Sequence, residues 1–176
     1  MELTLRDRLP RIGIFATAIK EEGAIELLLT LLKPRTYAAG TVIFNEGIEG
    51  HELYILHRGR VRIMKKTPHG DDYTVVLLDE GQDAFFGEAG LMDLETRSAT
   101  VAAETDVECF AMNRDDFLRL GDDQPRIGIL ITRENAKILA QRLRKANQDL
   151  VTLMTALITE IEGELAGGSG RRTCAP

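Results

Sequence analysis

The chain has 176 residues, of which 44% are hydrophobic and 28% charged, so it suits one globular domain with an appended helix. A formal net charge of −6 argues against affinity that depends on nucleic-acid phosphates, and no apolar run is long enough to cross a membrane. Two cysteines, Cys109 and Cys174, form no disulfide framework, and the charged N-terminus lacks a secretory core, so we expect a cytoplasmic protein.

The N-terminal segment, residues 1–35, shows apolar side chains at helical spacing. The pattern runs from Leu9 to Leu32, and Pro34 ends it. The spacing predicts a helical segment over this range.

Residues 36–120 change to a pattern of short runs rich in β-branched and aromatic residues. Glycines separate the runs about every ten residues, at Gly40, Gly47, Gly59, Gly70 and Gly81. In "RVRIMKK", Val61 and Ile63 alternate with arginines, as in a half-buried strand. We predict an α+β, mainly β fold, namely an antiparallel double-stranded β-helix or jelly roll with N-terminal helices and a long C-terminal helix.

Residues 121–165 are predicted to form that long helix. Asn113 is a candidate N-cap for a short helix before it, and Pro125 suits the first position of a helix that runs to about Glu162. Residues 166–176 follow as a tail. Leucines spaced as in a coiled coil predict a homodimer through Leu143, Leu150, Leu153 and Leu157. The alternative, that this stripe folds back on its own domain, stays open.

The stretch "FFGEAGLMDLETRSATV" carries the main chemical signal. A Gly-Glu turn before one helical turn presents backbone N–H groups to an anion, and Arg97 adds donors suited to phosphate. Glu88, when ionised, accepts hydrogen bonds from sugar hydroxyls. Phosphate beside ribose indicates a nucleotide. Because no P-loop lysine or magnesium carboxylates accompany Arg97, we expect a small monoanionic phosphodiester.

The same residues carry a family resemblance. "FGEAGLMDLETRSATV" resembles the phosphate-binding cassette of cyclic nucleotide-binding domains, the module of catabolite-activator-type regulators, cyclic-nucleotide-dependent kinases and gated channels. Upstream, "NEGIEGHELYILHRGRVRI" is similar to the family's first glycine-rich segment. The resemblance covers about Tyr37 to Leu143. Ile48 and His51 stand where many members carry aspartates, one of which often steadies the arginine.

The resemblance implies a role for individual residues. Glu88 would accept the ribose 2′-hydroxyl, Arg97 would pair with the cyclic phosphate, and Asn147, beyond "QRLR", would cover the base from its own or a partner's helix. Neighbouring backbone N–H groups and a serine hydroxyl would complete the phosphate cradle. The implied ligand-binding residues are Gly87, Glu88, Ala89, Gly90, Arg97, Ser98, Ala99 and Asn147.

Other chemistries find less support in the sequence. The β-roll of metal-dependent cupins needs clustered histidines, whereas His51, His57 and His69 form no His-x-His pair, and we expect solvated histidines and no metal site. Cys109 alternates with apolar residues, as a buried strand residue does. No Ser/His/Asp or Cys/His constellation can be assembled, so we expect no catalytic residues and no enzyme.

The predicted function is that of a stand-alone, bacterial-type cyclic nucleotide sensor without a helix-turn-helix domain. Cyclic AMP is favoured over cyclic GMP as the ligand, with no metal cofactor, because Ser98 replaces the threonine that cyclic-GMP-selective members often carry. The C-terminal helix would relay occupancy to an unidentified effector protein. Two alternatives stay open: a β-roll scaffold that binds nucleotide weakly or not at all, and a truncated fragment of a CRP/FNR-type transcription regulator.

Overall fold

The computed structural model describes residues 4–67, 69–92 and 96–168, with side chains to residue 163. The chain divides into two compact units, Met1–Ala136 and Lys137–Pro176. Cys174 and the part of the predicted tail from residue 169 onward lie outside the described residues.

Two four-stranded antiparallel sheets form the body of the first unit. One sheet has the order β1-β8-β3-β6, and the other has the order β2-β7-β4-β5. This arrangement confirms the predicted jelly roll. The strands are β1 (Lys33–Tyr37), β2 (Val42–Phe44), β3 (Glu52–Arg58), β4 (Arg60–Lys66), β5 (Asp72–Asp79), β6 (Phe85–Phe86), β7 (Thr100–Ala103) and β8 (Val107–Asn113).

The core of the roll consists of side chains from both sheets. Alternation along the strands sends every second residue inward, which explains the buried set Val107, Cys109 and Ala111 on β8. Cys109 is therefore the buried strand residue that the sequence predicts, and desolvation raises the pKa of its thiol to about 12. The cluster is formed by Phe44, Tyr54, Leu56, Val61, Ala84, Phe86, Val101, Ala103, Val107, Cys109 and Ala111.

The N-terminal segment is helical over residues 5–31, as predicted, but it is divided into several short helices. The segment contains α1 (Leu5–Arg8), three 3-10 helices of three residues each, and α2 (Ala24–Leu31). Pro10 and Gly23 interrupt a continuous helix, because proline lacks an N–H donor and Gly23 adopts φ +73°. Four apolar positions of the pattern, Ile14, Ala18, Ala24 and Leu28, are nevertheless buried, which explains the helical spacing of the sequence.

A buried arginine attaches this N-terminal segment to the β-roll. Arg8 donates from Nε to Asp83 Oδ1 at 3.1 Å, from Nη2 to the carbonyl of Glu80 at 2.7 Å and from Nη1 to the carbonyl of His57. Each nitrogen thus has an acceptor, which offsets the desolvation of the guanidinium.

Helix α3 (Arg114–Asp123) follows the roll directly, and the Asn113 side chain caps it by accepting from Asp115 N–H at 2.8 Å. Helix α4 (Pro125–Gly168) begins at Pro125, as predicted. Within the first unit, α4 buries one face every four residues, at Ile127, Ile131 and Asn135.

The second unit is described from residue 137 to residue 168 and is helical throughout. The four predicted dimer residues are exposed, and further apolar side chains extend the same surface. The exposed apolar residues are Leu143, Leu150, Val151, Leu153, Met154, Leu157, Ile158 and Ile161. No helix among the described residues is long and apolar enough to span a membrane.

Candidate functional site

The predicted cassette begins where β6 ends. Gly87 adopts φ +75°, a conformation that favours glycine, and a 3-10 helix follows over Glu88–Leu91. Inside this turn the carbonyl of Gly87 accepts from Gly90 N–H at 3.1 Å, and the carbonyl of Ala89 accepts from Met92 N–H at 2.9 Å. The N–H of Ala89, near the start of this turn, has no acceptor within the turn, and such groups can bind an anion.

The backbone of Arg97 is bonded to the glycine-rich loop before β3. Arg97 N–H donates to the carbonyl of Ile48 at 2.7 Å, and Gly47 N–H donates to the carbonyl of Arg97 at 2.9 Å. A further antiparallel bridge joins Glu49 and Thr96. The two motifs that carry the family resemblance are therefore hydrogen-bonded to each other.

The side chain of Arg97 lies in the floor of the cassette and is only 8% exposed. Its Nη1 donates to the carbonyl of Gly87 at 3.1 Å, and its Nη2 donates to the carbonyl of Glu52 at 2.8 Å. Its Nε is buried and has no hydrogen-bond partner. Desolvation lowers the pKa of Arg97, whereas the nearby Tyr54, Glu52 and Glu88 act in the opposite direction.

Aromatic rings line one side of the guanidinium. The Arg97 Cζ atom lies 4.2 Å from the centre of the Phe44 ring and 5.9 Å from that of Tyr54. Tyr54 stacks on Phe86 with ring centres 5.2 Å apart, and its hydroxyl donates to Glu52 Oε2 at 2.6 Å. Burial, followed by this hydrogen bond, raises the pKa of Tyr54. The rings and the neutral phenol hold Arg97 in a fixed position.

Three glycines leave the space that the guanidinium occupies. A Cβ atom at Gly50 would lie 1.8 Å from Arg97 Nε, and one at Gly87 would lie 2.6 Å from Nη1. A Cβ atom at Gly90 would meet the carbonyl oxygen of Gly50 at 2.4 Å. A larger residue at Gly50 or Gly87 would collide with the side chain of Arg97, and a larger residue at Gly90 would collide with the backbone of Gly50.

Glu88 is buried in the same turn, with 5% exposure. Its carbonyl accepts a hydrogen bond of 3.2 Å from Nδ2 of Asn135, which is 0% exposed and belongs to the first turns of α4. The cassette thus contacts the β-roll through Arg97 and the start of α4 through Asn135.

The structure brings together most of the predicted site residues. Glu88, Gly90 and Arg97 are buried close together, Gly87 beside them is half-buried, and Ala89 is exposed. Ser98 is exposed and Ala99 half-buried, directly after Arg97.

Asn147 lies in the second unit, and its predicted role stays a prediction. Sequence reasoning missed Gly50, Phe44 and Asn135. Two of these residues had a signal in the sequence. Gly50 lies within the first glycine-rich segment that resembles the family, and Asn135 is polar at a position where the helical spacing of Ile127 and Ile131 predicts an apolar residue.

Metal and thiol chemistry find no support in the described residues. Among them, no group of three or more His, Cys, Asp or Glu side chains could hold a metal ion. His57 is half-buried, with its ring edge against Phe110 at 5.4 Å between centres, so the prediction that it is solvated is wrong.

Comparison with known proteins agrees with this geometry. The family model of the cyclic nucleotide-binding domain matches residues 34–124. The CRP-like cAMP-activated global transcriptional regulator of Mycobacterium tuberculosis is 32% identical over 158 residues, which are 90% of this chain and 66% of the regulator. The cyclic AMP receptor protein of Thermus thermophilus is 36% identical over 126 residues, 72% of this chain and 56% of that protein.

A solved structure shares the fold at comparable identity. The crystal structure of the Thermus thermophilus catabolite activator protein matches with a TM-score of 0.67 and 34% identity, over 76% of this chain and 60% of that one. The chain therefore spans less than two thirds of the length of these relatives.

Proposed function

Since the chain belongs to the cyclic nucleotide-binding domain family, we propose that it is a sensor that binds a 3′,5′-cyclic nucleotide at the cassette, with cyclic AMP preferred. The observation that carries this proposal is the burial of Glu88 and Arg97 in one glycine-lined turn. An acidic and a basic side chain at this turn match the ribose and the phosphate of such a ligand. The proposal assigns no catalytic reaction to the chain.

Arg97 would meet the phosphate from a fixed position. Two of its nitrogens donate to carbonyls, and its buried Nε–H has no partner. Guanidinium has five N–H donors, so Nη1 and Nη2 would each have a second N–H to offer to an anion, whereas the buried Nε–H is packed against Gly50. An anion beside them would also offset the desolvation of the buried charge. Backbone N–H groups of the cassette and the Ser98 hydroxyl would supply further donors.

Glu88 would accept the ribose 2′-hydroxyl. Charge-assisted hydrogen bonds of this kind are stronger than neutral ones, and they are strongest where water is excluded. The 5% exposure of Glu88 meets that condition. This contact would select ribonucleotides over 2′-deoxyribonucleotides.

The preference for cyclic AMP rests on Ser98 and on the relatives. Ser98 is exposed directly after Arg97, at a position where cyclic-GMP-selective members of the family often carry threonine. The two relatives described above are named for cyclic AMP. Cyclic GMP-dependent kinases also match the chain, so both nucleotides belong in the test.

The output of the sensor would pass through α4. Its first turns contact the cassette at Asn135, and its later part exposes a long apolar stripe. A parallel pair of α4 helices from two copies would cover the leucines at coiled-coil spacing. We propose a homodimer that relays occupancy to an effector protein by a shift in the population of α4 positions.

A scaffold that does not sense nucleotide is the second candidate. The observation that favours it is that the guanidinium of Arg97 has acceptors and ring contacts within the protein itself. On this reading Arg97 is a structural residue of the roll.

Calorimetric titration of the chain with cyclic AMP, cyclic GMP and linear AMP separates the two candidates. The sensor should bind cyclic AMP most tightly and linear AMP at least about tenfold more weakly, because the dianionic linear phosphate misfits a site built for one charge. The absence of binding heat with all three nucleotides, at several temperatures, would favour the scaffold.

A further inference from the structure

Asn135 stands out on the buried face of α4. Ile127, Ile131 and Asn135 recur every four residues, and all three are buried. The first two are aliphatic, as a core position requires, whereas the third is an amide with 0% exposure. A polar residue in such a stripe costs stability unless a contact compensates for it.

The amide makes one hydrogen bond, and its other polar atom has no partner. Nδ2 donates to the carbonyl of Glu88 at 3.2 Å, while Oδ1 is buried without a hydrogen bond. Exchanging the two atoms would place oxygen against oxygen, so the Glu88 carbonyl fixes the orientation of the amide. A buried acceptor without a donor is destabilising. The hydrogen bond to the carbonyl of Glu88 is therefore the contact that explains an asparagine at this position.

The hydrogen bond acts on the peptide that joins Glu88 and Ala89. In a planar trans peptide the carbonyl and the following N–H point in opposite directions. Asn135 holds the Glu88 carbonyl toward α4, so the N–H of Ala89 points away from α4. The N–H groups of Gly90 and Met92 are used inside the turn, whereas that of Ala89 belongs to its first residues, which lack acceptors there.

We propose that Asn135 is a positioning residue that orients the Ala89 N–H toward one exocyclic oxygen of the ligand's phosphate. This inference rests on the proposed function. Ligand binding and the Asn135–Glu88 hydrogen bond would then be coupled. A ligand that uses the Ala89 N–H strengthens the hydrogen bond, and the hydrogen bond strengthens ligand binding by the same factor. The first turns of α4 are thereby made sensitive to occupancy through one side chain.

The test uses the two phosphorothioate diastereomers of cyclic AMP, in which sulfur replaces one or the other exocyclic oxygen. A donor aimed at one oxygen makes the two diastereomers bind with different Kd. Asn135→Leu keeps the side-chain size and removes the donor. We expect this variant to raise the Kd for cyclic AMP about tenfold, because it loses one charge-assisted hydrogen bond. The ratio of the two diastereomer Kd values should also move closer to one.

A matched control introduces leucine at the exposed position next to Asn135. Ala136→Leu should leave the affinity and the ratio as in wild type, because Ala136 is exposed. Asn135→Ala is the second variant in case leucine disturbs folding, and thermal denaturation without ligand verifies that each variant is folded. A variant that merely lowers the fraction of competent protein multiplies every Kd by one factor and leaves the ratio unchanged.

The outcomes separate this inference from the proposed function. If wild type binds no cyclic nucleotide, the proposed function fails and the inference fails with it. If wild type binds but folded Asn135 variants keep its affinity, or lose affinity with an unchanged diastereomer ratio, Asn135 is not a positioning residue and the sensor stands. A wild-type ratio near one would also overturn the inference.

Discussion

Gly50 and Arg97 are packed so closely that a Cβ atom at Gly50 would lie 1.8 Å from Arg97 Nε and 2.3 Å from Cζ. Gly50 has no positive φ, so only the side chain of Arg97 prevents a larger residue there. The contact joins the glycine-rich loop to the arginine of the cassette. A substitution at Gly50 therefore tests the position of Arg97 without removing any polar group.

Gly50→Ala should displace Arg97. The added methyl group cannot fit beside Nε, so the guanidinium must leave its carbonyl acceptors or the loop must move. We expect a loss of about 1–3 kcal/mol in the free energy of unfolding, as for other overpacked sites, and at least tenfold weaker cyclic AMP binding. Gly121→Ala, where a Cβ atom has no neighbour within 4 Å, is the control and should bind normally. Normal binding and stability in Gly50→Ala would show that Arg97 has another position available.

Glu88→Gln should change which sugar is recognised. The amide oxygen still accepts one hydrogen bond, so cyclic AMP affinity should fall by less than in Arg97→Leu. The preference for cyclic AMP over its 2′-deoxy analogue should become smaller, because the charge that strengthened the hydroxyl contact is gone. Competition binding with the two nucleotides measures this preference. An unchanged preference would assign Glu88 a structural role.

Leu150→Glu should separate the homodimer. Leu150 is exposed on α4 at a position of coiled-coil spacing, so a charge there would be buried in the paired helices. Light scattering should give twice 19.5 kDa for wild type and 19.5 kDa for the variant. Thr152→Glu, on an exposed position outside the leucine spacing, is the control and should remain dimeric. A monomeric wild type at tens of micromolar would rule out the proposed dimer.

Stability should fall at alkaline pH because of Cys109. Burial raises the pKa of its thiol from 9.0 to about 12, so the folded state keeps a proton that the unfolded state releases. The contribution to stability is complete below pH 9 and declines as the pH rises from 9 toward 12. The free energy of unfolding at pH 8, 9.5 and 10.5 should therefore fall less steeply in Cys109→Ala than in wild type. Equal slopes would mean that the thiol is not shielded from water.

The β-roll and the cassette could be predicted because local signals and tertiary structure agree there. Alternation on β8, the cap at Asn113 and the start of α4 at Pro125 each depend on neighbouring residues. The division of the N-terminal segment into short helices could not be predicted from the apolar spacing, because tertiary packing buries residues at helical spacing on both sides of the interruptions at Pro10 and Gly23.

The environment of Arg97 also depended on contacts that sequence spacing does not show. Ile48 and His51 stand where many members of the resembled family carry aspartates, so the sequence left open which groups hold the arginine. In the structure the carbonyls of Glu52 and Gly87 and the ring of Phe44 hold the guanidinium instead. Backbone carbonyls carry no residue-type signal, so this arrangement is visible only in three dimensions.

The role of Arg97 is the central claim, and calorimetric titration of wild type and Arg97→Leu with cyclic AMP tests it most directly. Loss of the charged donors should weaken binding by about 3–4 kcal/mol, or roughly 150- to 1000-fold, and Arg97→Lys should recover only part of this loss, because an ammonium cannot reproduce the guanidinium geometry. The free energy of unfolding without ligand should change by less than about 2 kcal/mol, because leucine also removes a desolvated charge. Binding of cyclic AMP by Arg97→Leu with wild-type affinity, or unfolding of the variant beside a wild type that binds no nucleotide, would contradict the account.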